Sequence, residues 1–320
     1  MESKQEILVS VVCNAYNHEK YIKDALEGFV MQKTNFAFEV LVHDDASTDK
    51  TAEIIREYEA KYPEIIKPIY QTENQYSKGG VYKFQESRVR GKYVAFCEGD
   101  DYWTDPLKLQ KQFDAMEQHP ELDICAHAAY GVNAISGESV TVFFHQSKKA
   151  EVISVEDVIM GGGGFVATAS LFMRAPFYGA LMEFRHFLRL DYTLQIQGAL
   201  RGGMLFLPDC MCDYRVMVGG SWTMTNIFNK EKRIRHFNKM QKMLEILNEE
   251  TDKKYDTTIK KRILKNEFEI ALLNEEYKTV MSKKYDTFLK ELPKKERFKI
   301  KLKARLPFLV KVKNKLRKKS

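Results

Sequence analysis

Three acidic side chains, Glu98, Asp100 and Asp101, crowd into four consecutive positions of the sequence. They follow the apolar run 92–97, whose aromatic and β-branched residues predict a buried strand of a parallel sheet. Open α/β sheets bind ligands just outside the carboxyl ends of their strands. Because neighbouring carboxylates repel one another, the cluster predicts a divalent cation, Mg²⁺ or Mn²⁺, which prefers oxygen ligands. The alternative is an acidic loop that caps the next helix. Asp105 can form that cap, but capping does not account for the three acids.

Two earlier predicted strands also end in polar side chains. The strand 8–13 leads into residues 14–17, and the strand 38–43 leads into Asp44 and Asp45. The carboxyl ends of parallel strands lie on one edge of a sheet, so these groups and the acidic cluster predict a nucleotide-sized site there. The glycine fingerprints of dinucleotide-binding and P-loop enzymes are absent from the sequence, which disfavours both classes.

The order of apolar runs predicts the fold. Strand and helix patterns alternate through the first 120 residues and indicate a mostly parallel α/β sheet with helices on both faces. The second half is less regular, with a helical stretch near 192–200, and from residue 226 onward the pattern becomes helical and charged. The strands predicted in the second half are 122–129, 139–145, 165–174, 204–207 and 212–216.

Composition places the chain among soluble globular proteins. Of its 320 residues, 44% are hydrophobic and 30% are charged, and no apolar run is long enough to cross a membrane. The polar start predicts no signal peptide, and the five cysteines are predicted to be reduced, which favours the cytoplasm. The net charge of +7 belongs to the C-terminal end, because residues 294–320 hold thirteen Lys and Arg against one acid.

Three sequence blocks resemble the signature blocks of the family 2 glycosyltransferases. They are V-S-V-V-C-N-A-Y-N-H-E, H-D-D-A-S-T-D-K-T and G-K-Y-V-A-F-C-E-G-D-D-Y-W, and the resemblance extends over about residues 8–225. It implies a GT-A fold and a similarity to enzymes that add single sugars to bacterial capsule and other surface polysaccharides. The domain boundaries predicted on this basis are 1–225 for the GT-A domain, with halves 1–120 for the nucleotide and 121–225 for the acceptor, 226–292 for a helical extension, and 293–320 for a basic amphipathic tail.

The resemblance also implies roles for the polar residues at the strand ends. Asn14 and Tyr16 would line the nucleoside pocket. Asp44 would accept a hydrogen bond from the imide N–H of the base, which favours a uridine donor. Asp45 belongs to the same predicted nucleotide-binding set.

In the acidic cluster, Glu98-Gly99-Asp100 occupies the position of the family's D-x-D motif. Asp100 would hold the Mg²⁺ or Mn²⁺ ion that bridges the diphosphate of the donor. Glu98 departs from the usual Asp, and its longer side chain would reach the ribose or a metal-bound water, so it is assigned to the nucleotide.

Asp191 matches the position of the family's catalytic base. A sugar hydroxyl is a poor nucleophile near neutral pH, and a positioned carboxylate can take its proton. Asp191 could also be the N-cap of the helix that follows it. The glycine run 161–164 admits two readings, a flexible turn or a loop that lets an acceptor or phosphate approach, and Trp222 is either a mobile cover for the site or a core anchor.

The resemblance therefore implies an inverting, metal-dependent transferase that moves a hexosyl or N-acetylhexosaminyl group from a UDP-sugar to a hydroxyl of a glycan or lipid-linked acceptor. The Q-x-x-R-W motif of processive synthases is absent, which favours single-sugar transfer. The alternative is a catalytically inactive module that binds sugar nucleotides or glycans on the same fold.

The basic tail predicts contact with an anionic membrane surface, and hence a peripheral location on the inner face of the cell membrane. Residues 297–319 interleave Lys and Arg with apolar side chains. No recognition fold for nucleic acid accompanies them, so nucleic-acid binding is not predicted. A solvated, disordered tail is the alternative.

Overall fold

A computed structural model describes residues 6–78, 80–143, 147–219 and 229–306 of the chain. The chain consists of two compact units, Met1–Ser221 and Trp222–Ser320. Trp222 and the part of the predicted tail from residue 307 onward lie outside the described residues.

The first unit is built on a ten-stranded sheet. Its strands are β1 (Ile7–Ala15), β2 (Ala37–Asp44), β3 (Ile66–Tyr70), β4 (Tyr93–Phe96), β5 (Tyr102–Trp103), β6 (Ile124–Asn133), β7 (Ser139–Phe143), β8 (Glu151–Ile153), β9 (Phe172–Arg174) and β10 (Met204–Val216). The strand order is β3-β2-β1-β4-β9-β6-β10-β5, with β7 paired to β6 and β8 paired to β10.

The parallel sheet predicted for the first half of the chain is confirmed. β1 pairs in parallel with both β2 and β4, and β2 pairs in parallel with β3. The central β1 buries both of its faces: Val9, Val11 and Cys13 are completely buried, and Val12 is almost so. A continuous apolar run is the sequence expected of a strand covered on both sides.

Eight helices join these strands in the described part of the first unit. They are α1 (Ile22–Val30), α2 (Thr51–Lys61), α3 (Val81–Glu86), α4 (Lys108–Gln118), α5 (Val155–Gly161), α6 (Ala175–Gly179), α7 (Glu183–Phe187) and α8 (Asp191–Ala199). In α1, Ile22, Ala25, Leu26 and Phe29 are fully buried, and their spacing places them on one face of the helix.

The prediction of a strand over 165–174 is wrong for most of its length. Only β9 is a strand, and Thr168–Ser170 forms a 3₁₀ turn. Val166, Ala167 and Ala169 are nevertheless buried. A short apolar run reports burial and does not by itself distinguish a strand from a buried turn.

The strands predicted at 204–207 and 212–216 are one strand, β10, with a register shift between Leu207 and Cys212. Pro208 lies inside that shift. A proline lacks the N–H group that a sheet needs, so it is tolerated inside a strand at such an irregularity.

The second unit is helical in the residues that the structure describes. Its helices are α9 (Lys230–Glu250), α10 (Asp256–Leu273), α11 (Tyr277–Val280), α12 (Asp286–Glu291) and α13 (Lys294–Arg305). A core of Phe268, Val280, Tyr285 and Phe288 also takes in Ile300 of α13, so the first turns of the predicted basic tail pack into this unit. None of the helices in the described ranges has the length and hydropathy needed to span a bilayer.

Candidate active site

The ends of β1, β2 and β4 bring the predicted polar residues to one edge of the sheet. Asn14 of β1 is in register with His43 of β2, one residue before Asp44. The Gly99 N–H, after β4, donates to Asn14 O at 2.9 Å. The Asn14 Nδ2 donates to Glu98 Oε1 at 3.4 Å.

One carboxylate oxygen of Asp44 accepts no hydrogen bond from the described residues. Its side chain is 2% exposed, and its Oδ1 has no hydrogen-bond partner among the described residues. Burying an unpaired carboxylate oxygen costs free energy unless a ligand supplies a donor. Tyr16, at the end of the same edge, leaves 45% of its surface exposed. This corner combines an aromatic surface with a buried acceptor.

Asp45 has a different environment from Asp44, because both of its oxygens are used within the protein. Oδ1 accepts from Gln75 N–H at 2.6 Å, and Oδ2 accepts from Tyr76 N–H at 3.0 Å. His43 Nε2 lies 3.4 Å from Oδ1, and burial lowers the pKa of this histidine. Asp45 therefore anchors the 3₁₀ turn Tyr76–Lys78 in this structure.

The carboxyl groups of the acidic turn after β4 differ in their pKa values and in their hydrogen-bond partners. Burial, followed by the charge of Asp100, raises the pKa of Glu98 to about 8, against the opposing hydrogen bond from Asn14. Burial and the Asp100 charge also raise the pKa of Asp101 well above its usual range. The Asp100 carboxylate has no partner among the described residues, although the Asp100 carbonyl oxygen accepts from Arg215 Nη1 at 2.9 Å. The turn thus presents one unpaired carboxylate beside two acids that favour their protonated forms.

Arg215 donates hydrogen bonds to this turn, a contact that the sequence did not predict. Its N–H donates to Asp101 Oδ1 at 2.8 Å, and its guanidinium pairs with Asp24 and stacks 4.3 Å from the centre of the Tyr102 ring. β5, which follows the turn, pairs with β10, and this pairing brings Arg215 to the acids. Only the strand order could have revealed the contact, because the two segments lie far apart in sequence.

Gln85 is a second positioning residue that the sequence reasoning missed. This buried side chain of α3 donates from Nε2 to Asn14 Oδ1 at 3.2 Å and to Leu41 O at 2.9 Å. It links the neighbouring strands β1 and β2 just below the site. A single glutamine in a short helical pattern gives no signal of such a role.

Asp191 begins α8, and both of its oxygens accept hydrogen bonds. Oδ1 accepts from Tyr192 N–H at 2.7 Å, and Oδ2 accepts from Thr168 Oγ1 at 3.0 Å. Burial raises the pKa of Asp191, and these two hydrogen bonds oppose the rise. The carboxylate is fixed in orientation and has a proton affinity above that of an ordinary aspartate.

The electrostatic surroundings connect Asp191 with the acidic turn. The charge of Asp191 contributes to the raised pKa of Glu98. Burial raises the pKa of Tyr82, and the charges of Glu98 and Asp191 add to this effect. The charge of Asp191 is therefore felt by groups on and around the acidic turn.

A metal site formed by protein groups alone is not found in the described ranges, where no three His, Cys, Asp or Glu side chains are grouped to hold an ion. The unpaired Asp100 carboxylate is an oxygen donor of the kind that Mg²⁺ and Mn²⁺ prefer.

Several known proteins are similar to this chain in sequence or in fold. Residues 10–168 match the family model described as glycosyl transferase family 2. An uncharacterised protein of Mycobacterium tuberculosis is 36% identical over 218 residues, which are 67% of this chain and 60% of the relative. The putative teichuronic acid biosynthesis glycosyltransferase TuaG of Bacillus subtilis is 35% identical over 140 residues, 43% of this chain and 52% of TuaG. The chain thus spans about 60% of the length of the first of these curated relatives.

Among solved structures, residues 1–349 of TarS from Staphylococcus aureus superpose with a TM-score of 0.60. The sequence identity is 16%, and the match covers 89% of this chain and 78% of that structure. At this identity the likeness concerns the fold, and it supports the GT-A type predicted from the sequence. The same TarS fragment has also been solved with UDP and with UDP-GlcNAc.

Proposed function

Since the chain belongs to the family 2 glycosyltransferases, we propose that it transfers one sugar from a UDP-sugar to a hydroxyl group, with inversion and with a divalent cation. The observation that carries this proposal is the sheet edge itself. It combines an unpaired buried acceptor at Asp44 with an unpaired carboxylate at Asp100, and the charge of the oriented Asp191 carboxylate acts on Glu98 in the same acidic turn.

The donor nucleotide would bind at the ends of β1 and β2. The Asp44 Oδ1 lacks a donor, and the imide N–H of uracil would supply one. Tyr16 offers an exposed ring for the base, and Asn14 is tied to Glu98 at the ribose side. The TarS complexes with UDP and UDP-GlcNAc add support for a uridine nucleotide on this fold.

The cation would be held by Asp100 together with oxygens of the donor diphosphate. A bound Mg²⁺ or Mn²⁺ would stabilise the negative charge that develops on the leaving diphosphate. Burial and the Asp100 charge raise the pKa of Glu98, and in its protonated form Glu98 can donate a hydrogen bond to a donor oxygen. Arg215 fixes the backbone of the turn, so Asp100 keeps its place without a side-chain partner.

Asp191 would act as the general base. Its carboxylate takes the proton of the acceptor hydroxyl while the acceptor oxygen bonds to the anomeric carbon and the bond to the diphosphate breaks. Thr168 and the Tyr192 N–H hold the carboxylate in one orientation. Attack from the side opposite the leaving group inverts the anomeric centre.

The acceptor is proposed to be a glycan or a lipid-linked sugar of a surface polysaccharide, bound by the half of the domain around 121–225. The similarity to TuaG, a putative teichuronic acid biosynthesis glycosyltransferase, supports a surface polysaccharide. A cytoplasmic protein attached to the inner membrane surface would have access to a lipid-linked acceptor, and the basic tail is the proposed attachment.

Asp191→Asn separates this enzyme from an inactive binding module. The amide keeps the shape of the side chain but cannot take a proton, so UDP release from a panel of UDP-sugars should fall by about 10²–10⁴-fold. UDP affinity, measured by calorimetry with Mn²⁺, should stay near the wild-type value. Turnover that persists in Asp191→Asn would remove Asp191 as the base. A wild-type protein that binds UDP without turning over any sugar nucleotide or acceptor would favour the binding module.

A further inference from the structure

The glycine run 161–164 passes beside Asp191, and its members differ in what the fold requires of them. A Cβ at Gly161, the last residue of α5, would lie 2.2 Å from an atom of the Phe165 ring. Gly162 has a φ of 74°, in the left-handed region that favours glycine. Packing and backbone conformation therefore account for these two glycines.

Gly163 has neither reason to be glycine. It is not among the described glycines with positive φ. A Cβ built on it would lie 3.8 Å from Tyr192 Cβ and 3.9 Å from Asp191 Oδ1, and both are ordinary van der Waals distances. The residue is exposed. An alanine would fit here without moving its neighbours.

The missing side chain leaves space directly against the carboxylate of Asp191. Thr168 Oγ1 donates a hydrogen bond to Oδ2, and the N–H of Tyr192, in α8, donates one to Oδ1. A Cβ at the exposed Gly163 would lie 3.9 Å from Oδ1, so glycine leaves that position beside the carboxylate free of side-chain atoms.

We propose that Gly163 is a specificity-determining position, which keeps open the path by which the acceptor hydroxyl reaches Asp191. This inference rests on the proposed function of Asp191 as the base. A bulky acceptor needs its hydroxyl oxygen within hydrogen-bond distance of a carboxylate oxygen, while carbon atoms of its ring stand nearby. A methyl group at Gly163 would occupy that space, whereas water remains small enough to reach the carboxylate.

The experiment compares Gly163→Ala with Gly179→Ala, a control glycine that has no atom within 4 Å of a built Cβ. Accessibility of Asp191 is measured by labelling with a water-soluble carbodiimide and glycinamide, followed by peptide mass spectrometry. Labelling of Asp191 in Gly163→Ala should fall by about tenfold, equivalent to about 1.4 kcal/mol in the barrier. Labelling of Glu156, an exposed acid of α5, is the internal control and should be equal in all three proteins.

Two further readouts locate the effect. UDP binding with Mn²⁺ should be unchanged, and UDP release with water as the acceptor should be largely retained in Gly163→Ala. Transfer to p-nitrophenyl glycosides should fall by about a hundredfold, the cost of misplacing a reacting group by about 1 Å. Unchanged Asp191 labelling in Gly163→Ala, or an equal loss in Gly179→Ala, would overturn the inference. Asp191→Asn with full turnover would instead overturn the proposed base, and the labelling result would distinguish the two failures.

Discussion

At the scale of single residues, the state of Asp191 depends on Thr168. The Thr168 hydroxyl donates to Asp191 Oδ2 at 3.0 Å and so stabilises the ionised form that a general base needs. Burial acts in the opposite direction and raises the pKa of Asp191. The balance between these effects sets the pH at which the base becomes active.

Removing the hydroxyl should move this balance in a defined direction. In Thr168→Val the ionised form loses a charge-assisted hydrogen bond, so the pKa of Asp191 rises further. The base is then protonated up to a higher pH, and the acidic limb of the kcat/KM profile moves upward by the same amount. Thr168→Ser keeps the hydroxyl and should follow the wild-type profile. An unshifted acidic limb in Thr168→Val would show that the hydrogen bond does not control the base.

The order of predicted strands indicated that these polar residues meet at one sheet edge, for a physical reason. Asn14 and Asp44 lie at the carboxyl ends of parallel strands, and Glu98 and Asp100 directly follow another, so their convergence follows from the topology. Asp45 shows the limit of that reasoning. It is adjacent to Asp44 in sequence, but its carboxylate is taken by the backbone of the turn at Gln75, which no local pattern signals.

At the scale of elements, the regular half of the chain could be predicted and the irregular half only in part. β1, β2 and β4 are rich in apolar residues and lie in a parallel sheet, where burial on both faces dictates the sequence. β9 runs antiparallel between β4 and β6 and has only three residues. So short a strand leaves no periodic signal, and its pairing depends on neighbours distant in sequence.

The pairing of β5 with β10 positions the acidic turn through Arg215, and this contact can be tested. In Arg215→Met the buried Asp101 loses its electrostatic partner while keeping the backbone hydrogen bond, and the Asp100 carbonyl loses a charged donor. The free energy of unfolding should fall by about 1.5–3 kcal/mol in urea titrations. The affinity for UDP with Mn²⁺ should fall as well, because the position of Asp100 is no longer fixed.

A matched control uses another arginine of the first unit. Arg201 pairs with the buried Asp123 away from the acidic turn. Arg201→Met should lower stability without changing nucleotide affinity once binding is corrected for the unfolded fraction. Equal affinities in wild type and Arg215→Met would contradict the assigned role of Arg215.

At the scale of the whole molecule, the positive charge is concentrated at the C-terminal end of the chain. Residues 294–320 hold thirteen of the 51 Lys and Arg, and the remainder of the chain is net acidic. Within the described part of this segment, α13 exposes Phe298 and Leu302 one helical turn apart, at 67% and 42%. Apolar side chains among basic ones favour an anionic bilayer surface.

Membrane attachment is therefore expected to depend on both charge and these apolar side chains. The protein should cosediment with vesicles that contain phosphatidylglycerol, and binding should weaken as salt is raised, because exposed charges are screened. Phe298→Ser with Leu302→Ser should reduce binding, whereas Ile135→Ser, at an exposed apolar residue of the first unit, should not. Equal binding to neutral vesicles at every salt concentration would rule out this electrostatic attachment.

Thermal unfolding can test for a uridine nucleotide site at the acidic sheet edge. The protein is heated with UDP, CDP, GDP or TDP, each with and without Mn²⁺, because a ligand at about 100 times its Kd stabilises the native state by about 2.7 kcal/mol. We predict that UDP with Mn²⁺ raises Tm most, and that CDP, which lacks the imide N–H, raises it less. Asp44→Ala should remove the difference between UDP and CDP, and Asp100→Ala should remove the effect of Mn²⁺. A larger increase in Tm with GDP, or no increase with UDP and Mn²⁺, would contradict a uridine nucleotide site at this edge.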